Sequence, residues 1–92
     1  MTKYCDLIIP IKDALDNIKP CLNSIIKYTD YPHKIILVDD ASDRYTKDFL
    51  RHFCHAHSNV GLIENSQNLG FVKSSNKGLQ IAHGDFVVIL NS

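Results

Sequence analysis

Residues 34–43 read Lys-Ile-Ile-Leu-Val-Asp-Asp-Ala-Ser-Asp, an unbroken apolar run that ends on paired carboxylates. A continuous apolar run of this length predicts a strand that is covered on both faces, as in a parallel sheet. Asp39 and Asp40 close this strand, and Asp43 is a candidate N-cap for a helix. The stretch therefore predicts a strand, a short polar loop and a helix, in that order.

Apolar runs on either side of this stretch predict further strands of the same kind. They are Leu7–Ile9, which we expect Pro10 to end, then Val60–Ile63, and last Phe86–Leu90, the most hydrophobic of them. The stretches between these runs carry apolar residues at helical spacing. The chain is therefore predicted to alternate strand and helix from its first strand to its last.

Proline and glycine residues set the expected limits of the helices. Pro20 is placed in the first turns of the first helix, or in a kink of that helix, because a proline in the interior removes a hydrogen bond. Gly70 is predicted to open the third helix, and Gly84 is predicted to stop it. Asn76, inside that helix, is interpreted as a buried polar anchor that must find hydrogen-bond partners.

The alternation predicts an α/β fold, a three-layer Rossmann-like parallel sheet with right-handed crossovers. We expect the first strand to be central and the strand order to be 3-2-1-4. The order then reverses between the first and fourth strands. In such sheets ligands bind outside the carboxyl ends of the strands, at the reversal.

The composition excludes several classes of function. Ten basic residues balance ten acidic ones among 92, which argues against a nucleic-acid partner, since that needs a concentrated basic patch. The apolar runs are too short to span a bilayer, and the first residues do not resemble a signal peptide, so we expect a cytoplasmic protein. Cys5, Cys21 and Cys54 lack a C-x-x-C spacing and are expected to stay reduced.

Polar residues follow the predicted strands at the rim where a ligand would bind. They form three clusters, at residues 10–13, residues 39–43 and residues 91–92. A carboxylate there could accept a hydrogen bond from an imide N–H such as that of uracil, and the Asn68–Gly70 turn would present backbone N–H groups to an anion. The alternative is that the aspartates only cap the following helix.

Other patterns in the sequence give weaker indications of function. His52, Cys54, His55 and His57 have a metal-like spacing, but on a helix they fall on different faces, and we interpret them as structural or solvent-facing. The sequence has no P-loop and no dinucleotide-binding glycine motif after the first strand.

Segments 8–15, 21–26, 36–43, 68–79 and 84–92 resemble, in order and spacing, the family 2 glycosyltransferases. The resemblance covers essentially the whole chain. It implies the N-terminal half of a GT-A fold, with residues 1–92 as a single partial domain that binds a nucleotide-diphosphate sugar. It also implies Mg²⁺ or Mn²⁺ as a cofactor of the full-length enzyme, with none bound by this chain alone.

The resemblance also assigns roles to particular residues. In the family the segment after the first strand lines the nucleoside pocket, here Pro10, Ile11 and Asp13. The second aspartate of the pair contacts the base, here Asp40, and Asp39 supports it. The Asn-x-Gly element and its helix border the nucleotide and sugar; here these residues are Asn68, Gly70, Lys73 and Asn76.

Two departures from the family pattern limit what this chain is expected to do. Lys12-Asp13 replaces the usual aromatic-Asn pair, with Asp13 expected to keep a capping role. The D-x-D metal ligands are expected just after Ser92, beyond this chain, and no catalytic residue is identified in it. Sugar transfer, with UDP-linked donors as the first expectation and a glycan or lipid-linked acceptor, is therefore predicted for the full-length protein and not for this chain alone.

Alternative interpretations remain open from the sequence. The chain could be a non-catalytic nucleotide-binding module or a vestigial fragment, or a Rossmann-like structural domain that has no ligand. The apolar strand at residues 86–90 is also expected to lie at a sheet edge and to promote self-association. Peripheral attachment to the inner face of the membrane is a further expectation for the full-length enzyme.

Overall fold

A computed structural model describes residues 3–91 of the chain. In this range the chain forms alternating strands and helices, which are β1 (Cys5–Ile11), α1 (Leu15–Tyr28), β2 (His33–Asp39), α2 (Arg44–Ala56), β3 (Val60–Glu64), α3 (Phe71–Ile81) and β4 (Phe86–Ile89). The predicted order of elements is confirmed. Asp43 caps α2 as expected, with its carboxylate accepting from the Thr46 N–H at 2.8 Å.

The sheet is parallel throughout and has the order β3-β2-β1-β4, as the sequence predicts. Strand β1 is central. Its residue Ile8 is paired with Ile36 of β2 on one side and with Ile89 of β4 on the other. The order therefore reverses between β1 and β4.

Helices cover both faces of the sheet and make three layers. On one face Ile9 and Leu37 pack with Leu22 of α1 and Leu50 of α2, all of them fully buried. On the other face Ile8 packs against α3, where a Cβ built on Gly78 would lie 2.5 Å from Ile8 Cγ2. Burial on both faces explains why the inner strands read as continuous apolar runs.

Pro10 does not end β1, contrary to the sequence prediction. The strand continues through Pro10 to Ile11, in register with Val38 and Asp39 of β2. Strand β1 can contain this proline because β4, its neighbour on the other side, is paired with β1 only as far as Ile8. The backbone groups of Ile8 point toward β4, because the Ile8 carbonyl accepts from the Leu90 N–H. Pro10, two residues further along β1, points toward the same side. The N–H that Pro10 lacks would therefore lie where the pairing with β4 ends.

Gly84 does not stop α3 either, because the helix ends at Ile81 with Ala82 as its C-cap. Gly84 is needed for a close approach instead. Its N–H and that of His83 both donate to Asp6 Oδ2, at 2.6 and 2.8 Å. A Cβ on Gly84 would lie 3.0 Å from that same oxygen and 2.8 Å from the carbonyl oxygen of Tyr4.

The structure also shows where the other polar residues considered in the sequence lie. Asn76 is exposed on α3, so its interpretation as a buried anchor is wrong. Cys54 packs against the core of the α1–α2 face, and the His57 ring lies 4.3 Å from the Phe53 ring. Within residues 3–91 no group of three His, Cys, Asp or Glu side chains could hold a metal ion.

Strand β4 and part of α3 present apolar side chains to solvent. The side chains of Phe86 to Ile89 are each 40–52% exposed, and Val72 and Leu79 on α3 are 70% and 42% exposed. We call these residues the β4–α3 surface. None of the helices in the described part of the chain has the length and apolar character that a membrane span requires.

The contact between Gly78 and Ile8 leads to a stability prediction. Gly78→Val should lower the free energy of unfolding by about 2 kcal/mol or more, because a side chain there overpacks a buried isoleucine. Gly61→Val is the matched control, since a Cβ at Gly61 meets nothing nearer than Lys34 Cε at 3.8 Å and valine favours strands. Urea denaturation measures both, and equal midpoints for the two variants would contradict the packing described here.

Candidate functional site

A cavity of about 150 Å³ opens at the carboxyl ends of β1, β2 and β4. The end of β1, the end of β2, the first turn of α3 and the segment after β4 all contribute to it. Its lining residues are Pro10, Ile11, Lys12, Asp40, Phe71 and Asn91. The polar clusters that are separate in sequence therefore meet at the reversal of strand order, where a parallel sheet binds ligands.

Asp40 is the buried carboxylate of this cavity, with only 4% of the residue exposed. Its Oδ1 accepts from the Leu69 N–H at 2.7 Å and from the Asn65 side-chain amide at 3.0 Å. Its Oδ2 accepts from the Gly70 N–H at 2.9 Å. Asp40 thus fastens the loop before α3 to the end of β2.

Burial and hydrogen bonding act on the pKa of Asp40 in opposite directions. Burial raises the pKa, while hydrogen bonds from the Leu69 N–H, the Asn65 amide, the Gly70 N–H and the Ser74 hydroxyl lower it. The hydrogen bonds prevail, and the pKa lies below its ordinary value. Donors aimed at the charged form outweigh desolvation, so the site holds an ionised carboxylate at neutral pH.

Asp39 lies beneath the cavity and does not line it. Its side chain is fully buried, with Oδ1 accepting from the Ser42 N–H at 3.0 Å and Oδ2 accepting from the Lys47 ammonium at 2.9 Å. Asp39 therefore ties the loop after β2 to α2. A buried carboxylate paired in this way is costly to break, because removal of one partner leaves an uncompensated charge.

Asp13 joins the loop after β1 to the loop after β2. Its N–H donates to Ser42 Oγ at 2.8 Å, and its Oδ1 accepts from the Asp43 N–H at 2.7 Å. The expected capping role at the first helix is wrong, because the N-cap of α1 is Ala14 and makes no side-chain cap. Asp13 instead binds the residue that caps α2.

Lys12 lies at the rim between these two loops. Its ammonium donates to the carbonyl oxygen of Ala41 and lies 3.8 Å from Asp13 Oδ2. Its side chain is 44% exposed, and Lys12 is one of the residues that line the cavity. A cation at this position offsets part of the negative charge of the neighbouring aspartates.

The turn before α3 is built differently from the sequence expectation. Gly70 has a φ of 88°, which glycine adopts without strain, and its N–H also donates to Asn68 Oδ1 at 3.1 Å. The N–H groups of Leu69 and Gly70 point at Asp40. They are therefore not presented to an outside anion, and Lys73 is an exposed residue of α3 that is not part of the cavity lining.

Of the residues proposed from sequence, the structure brings Pro10, Ile11 and Asp40 to the cavity wall. The others hold the surrounding loops or, for Lys73, face solvent. Phe71 and Asn65 were missed. Asn65 directly follows β3, so the rule that places polar residues at carboxyl ends could have found it, whereas no pattern in the sequence marks Phe71.

The described residues do not fit a divalent metal. Asp39 and Asp40 are buried and accept from N–H and ammonium donors, while a metal ion needs converging oxygens that are free to bind it. Ser92, next to the expected ligands, lies outside the described residues. No chemical step is therefore assigned here to a metal ion.

Comparisons with known proteins agree with this architecture. A family model described as glycosyl transferase family 2 matches residues 6–92. The glycosyltransferase AglE of Haloferax volcanii is 28% identical over 91 residues, which cover 96% of this chain and 30% of that protein. The putative teichuronic acid biosynthesis glycosyltransferase TuaG of Bacillus subtilis is 30% identical over 87 residues, covering 94% of this chain and 34% of that protein.

Solved structures of glycosyltransferases share the fold. The mannosyltransferase PcManGT from Pyrobaculum calidifontis, solved with GDP-Man and Mn²⁺, has a TM-score of 0.86 at 26% identity and covers 99% of this chain. TarS from S. aureus, solved with UDP-GlcNAc, has a TM-score of 0.83 at 26% identity and the same coverage. The chain spans 28% and 26% of those two solved chains.

These findings agree on the fold, on the order of the elements and on the family model, which matches nearly the whole chain. The strand order 3-2-1-4 and the three layers are those of the GT-A glycosyltransferases to which this chain is similar. The chain belongs to family 2 of the glycosyltransferases.

Proposed function

We propose that this chain is the nucleotide-binding part of an enzyme that transfers a sugar from a nucleotide-diphosphate sugar, UDP-linked in the first instance. The observation that carries the proposal is the ionised, buried carboxylate of Asp40 in the wall of the cavity. An ionised carboxylate in a cavity wall can accept a hydrogen bond from a bound ligand in addition to those from the chain. The N–H of a nucleobase can donate such a hydrogen bond.

The size of the cavity supports a base as the bound group. About 150 Å³ is small beside the roughly 300–1,000 Å³ of sites that enclose drug-sized ligands. It suits a single-ring base better than a whole nucleotide sugar. Uracil has an imide N–H for Asp40, and Pro10 and Ile11 supply an apolar wall for its ring.

The remaining candidate residues have supporting roles in this proposal. Asp39 and Asp13 hold the loops after β2 and β1, and Asn68 with Gly70 shapes the turn beside Asp40. Because the N–H groups of that turn are taken by Asp40, the diphosphate needs another source of positive charge. Lys12 at the cavity and Lys73 on α3 are the cations proposed for it.

The catalytic part of the proposal lies outside this chain. The full-length enzyme is proposed to use Mg²⁺ or Mn²⁺, and PcManGT was solved with Mn²⁺. This chain by itself is proposed to bind nucleotide and to transfer no sugar. A glycan or lipid-linked acceptor is proposed, with a cytoplasmic location at the inner face of the membrane where a lipid-linked acceptor would lie.

Binding of UDP tests the proposal most simply. Calorimetry should detect UDP binding to the chain, and Asp40→Asn should weaken it about tenfold or more, because a charge-assisted hydrogen bond is lost. Asp48→Asn, on the exposed side of α2, is the matched control and should bind as the wild type. GDP is titrated in the same way, so that the affinities for the two nucleotides can be compared.

The outcomes separate the alternatives. Binding of UDP without hydrolysis of the sugar nucleotide agrees equally with the proposed enzyme and with a non-catalytic nucleotide-binding module. A measurement of sugar transfer by a longer chain then decides between these two. Absence of binding to either nucleotide would reject both and leave a structural domain. Sugar transfer by these 92 residues alone would contradict the assignment of catalysis to residues outside the chain.

The lowered pKa of Asp40 predicts the pH dependence of binding. The carboxylate stays ionised down to below its ordinary value of 3.8, so its ability to accept an N–H is unchanged between about pH 5 and about pH 8. Its contribution to stability is likewise complete above the unfolded pKa and is lost as pH falls through the lowered folded pKa. Uridine, which has no phosphate that titrates in this range, should bind with one affinity throughout it, and a midpoint of loss near pH 6 would contradict the assignment.

Self-association is proposed through the β4–α3 surface. An apolar strand with an unpaired edge can extend the sheet of a second copy. Sedimentation should find oligomers at concentrations where Val87→Lys is monomeric, because a charge on the edge strand disfavours pairing. Tyr45→Lys, at a side chain that is 82% exposed on α2, is the control and should associate as the wild type. A monomeric wild type at high concentration would contradict this proposal.

A further inference from the structure

Asn65 is a buried amide at the centre of the hydrogen bonds behind the cavity. It directly follows β3 and is 3% exposed. Its Nδ2 donates to Asp40 Oδ1 and to Ser74 Oγ, both at 3.0 Å, and its Oδ1 accepts from the Lys77 ammonium at 2.9 Å. Its N–H donates to the carbonyl oxygen of Asp39 at 2.8 Å, so β2, β3 and α3 all hold it.

The chemistry of its partners allows only one orientation of the Asn65 amide. An ammonium can only donate hydrogen bonds and an ionised carboxylate can only accept them. Lys77 must therefore face the amide oxygen, and Asp40 must face the amide nitrogen. If the amide turned over, its oxygen would face the carboxylate and its NH₂ would face the ammonium, and both contacts would be repulsive.

This orientation makes the two oxygens of Asp40 unequal. Oδ1 accepts hydrogen bonds from Asn65 and Leu69. Oδ2 accepts one from Gly70, and the Ser74 hydroxyl is a further donor to the carboxylate. A ligand in the cavity therefore meets a carboxylate whose rotation is fixed by these donors.

We propose that Asn65, held by Lys77, is a positioning residue that fixes which oxygen of Asp40 is available and thereby limits the site to bases with one suitably placed N–H. This inference rests on the proposed function, since it assumes that Asp40 receives a base. It adds a source of selectivity that lies outside the cavity wall. Asn65 and Lys77 act through Asp40 and do not touch the ligand.

A purely structural role for Asn65 makes a different prediction. If the amide only satisfies buried polar groups, its loss lowers stability and affects all ligands of the folded protein alike. If it fixes Asp40, its loss lets the carboxylate rotate. The site then discriminates less between a base with the N–H and the same base without it.

The test compares UDP with its N3-methyl analogue, which lacks the imide N–H. Dissociation constants for both are measured on wild type, Asn65→Leu and Lys77→Met, well below each melting temperature. The wild type should prefer UDP by about tenfold or more, the value of a charge-assisted hydrogen bond. Asn65→Leu should bring the ratio close to one, and Lys77→Met, which removes the hydrogen bond that holds the amide oxygen, should lower it about threefold or more.

Gln67→Leu, an exposed position in the same loop, is the control and should keep the wild-type ratio. A folded Asn65→Leu that weakens both ligands equally would overturn the inference and leave the proposed function intact. If Asn65→Leu does not fold, an unchanged ratio in Lys77→Met overturns the inference by itself. A wild type that binds neither ligand, or both alike, overturns the proposed function together with it.

Discussion

The buried carboxylate of Asp40 is the interaction on which the arrangement of this site depends. Desolvation of a charge costs several kcal/mol, and here the N–H groups of Leu69 and Gly70 with the Asn65 amide offset that cost. The same hydrogen bonds fix the turn before α3 and place Phe71 at the cavity. Without the charge the turn would lose its anchor, and without the turn the charge would have too few donors to remain buried.

Much of the fold could be predicted from the sequence because burial on both faces leaves a strong pattern. From the apolar run of β2 and the alternation of strands with helices, the three layers and the strand order could be predicted. Details that depend on a neighbour elsewhere in the chain could not be predicted. Pro10 is tolerated inside β1 because β4 is short, and Gly84 serves a contact with Asp6, which lies far from it in sequence.

The site was predictable in position and only partly in detail. The topological rule correctly placed Asp40 and the segments ending at Ile11 and Asn91 around one cavity. It could not reveal that the backbone N–H groups of the turn face inward, because that depends on the rotation of the Asp40 side chain. It could have favoured Asn65, which directly follows β3, over Asn76, which lies inside α3, and the burial of Asn65 agrees with that choice.

Hydrogen exchange of the loop before α3 tests the central claim most directly. In the free chain, the amides of Leu69 and Gly70 should exchange much more slowly than those of Ser66 and Gln67, which are exposed residues of the same loop. This protection should disappear in Asp40→Ala while the amides of α2 stay protected. Equal and rapid exchange across the whole loop in the wild type would contradict the central claim, because the carboxylate would then hold nothing.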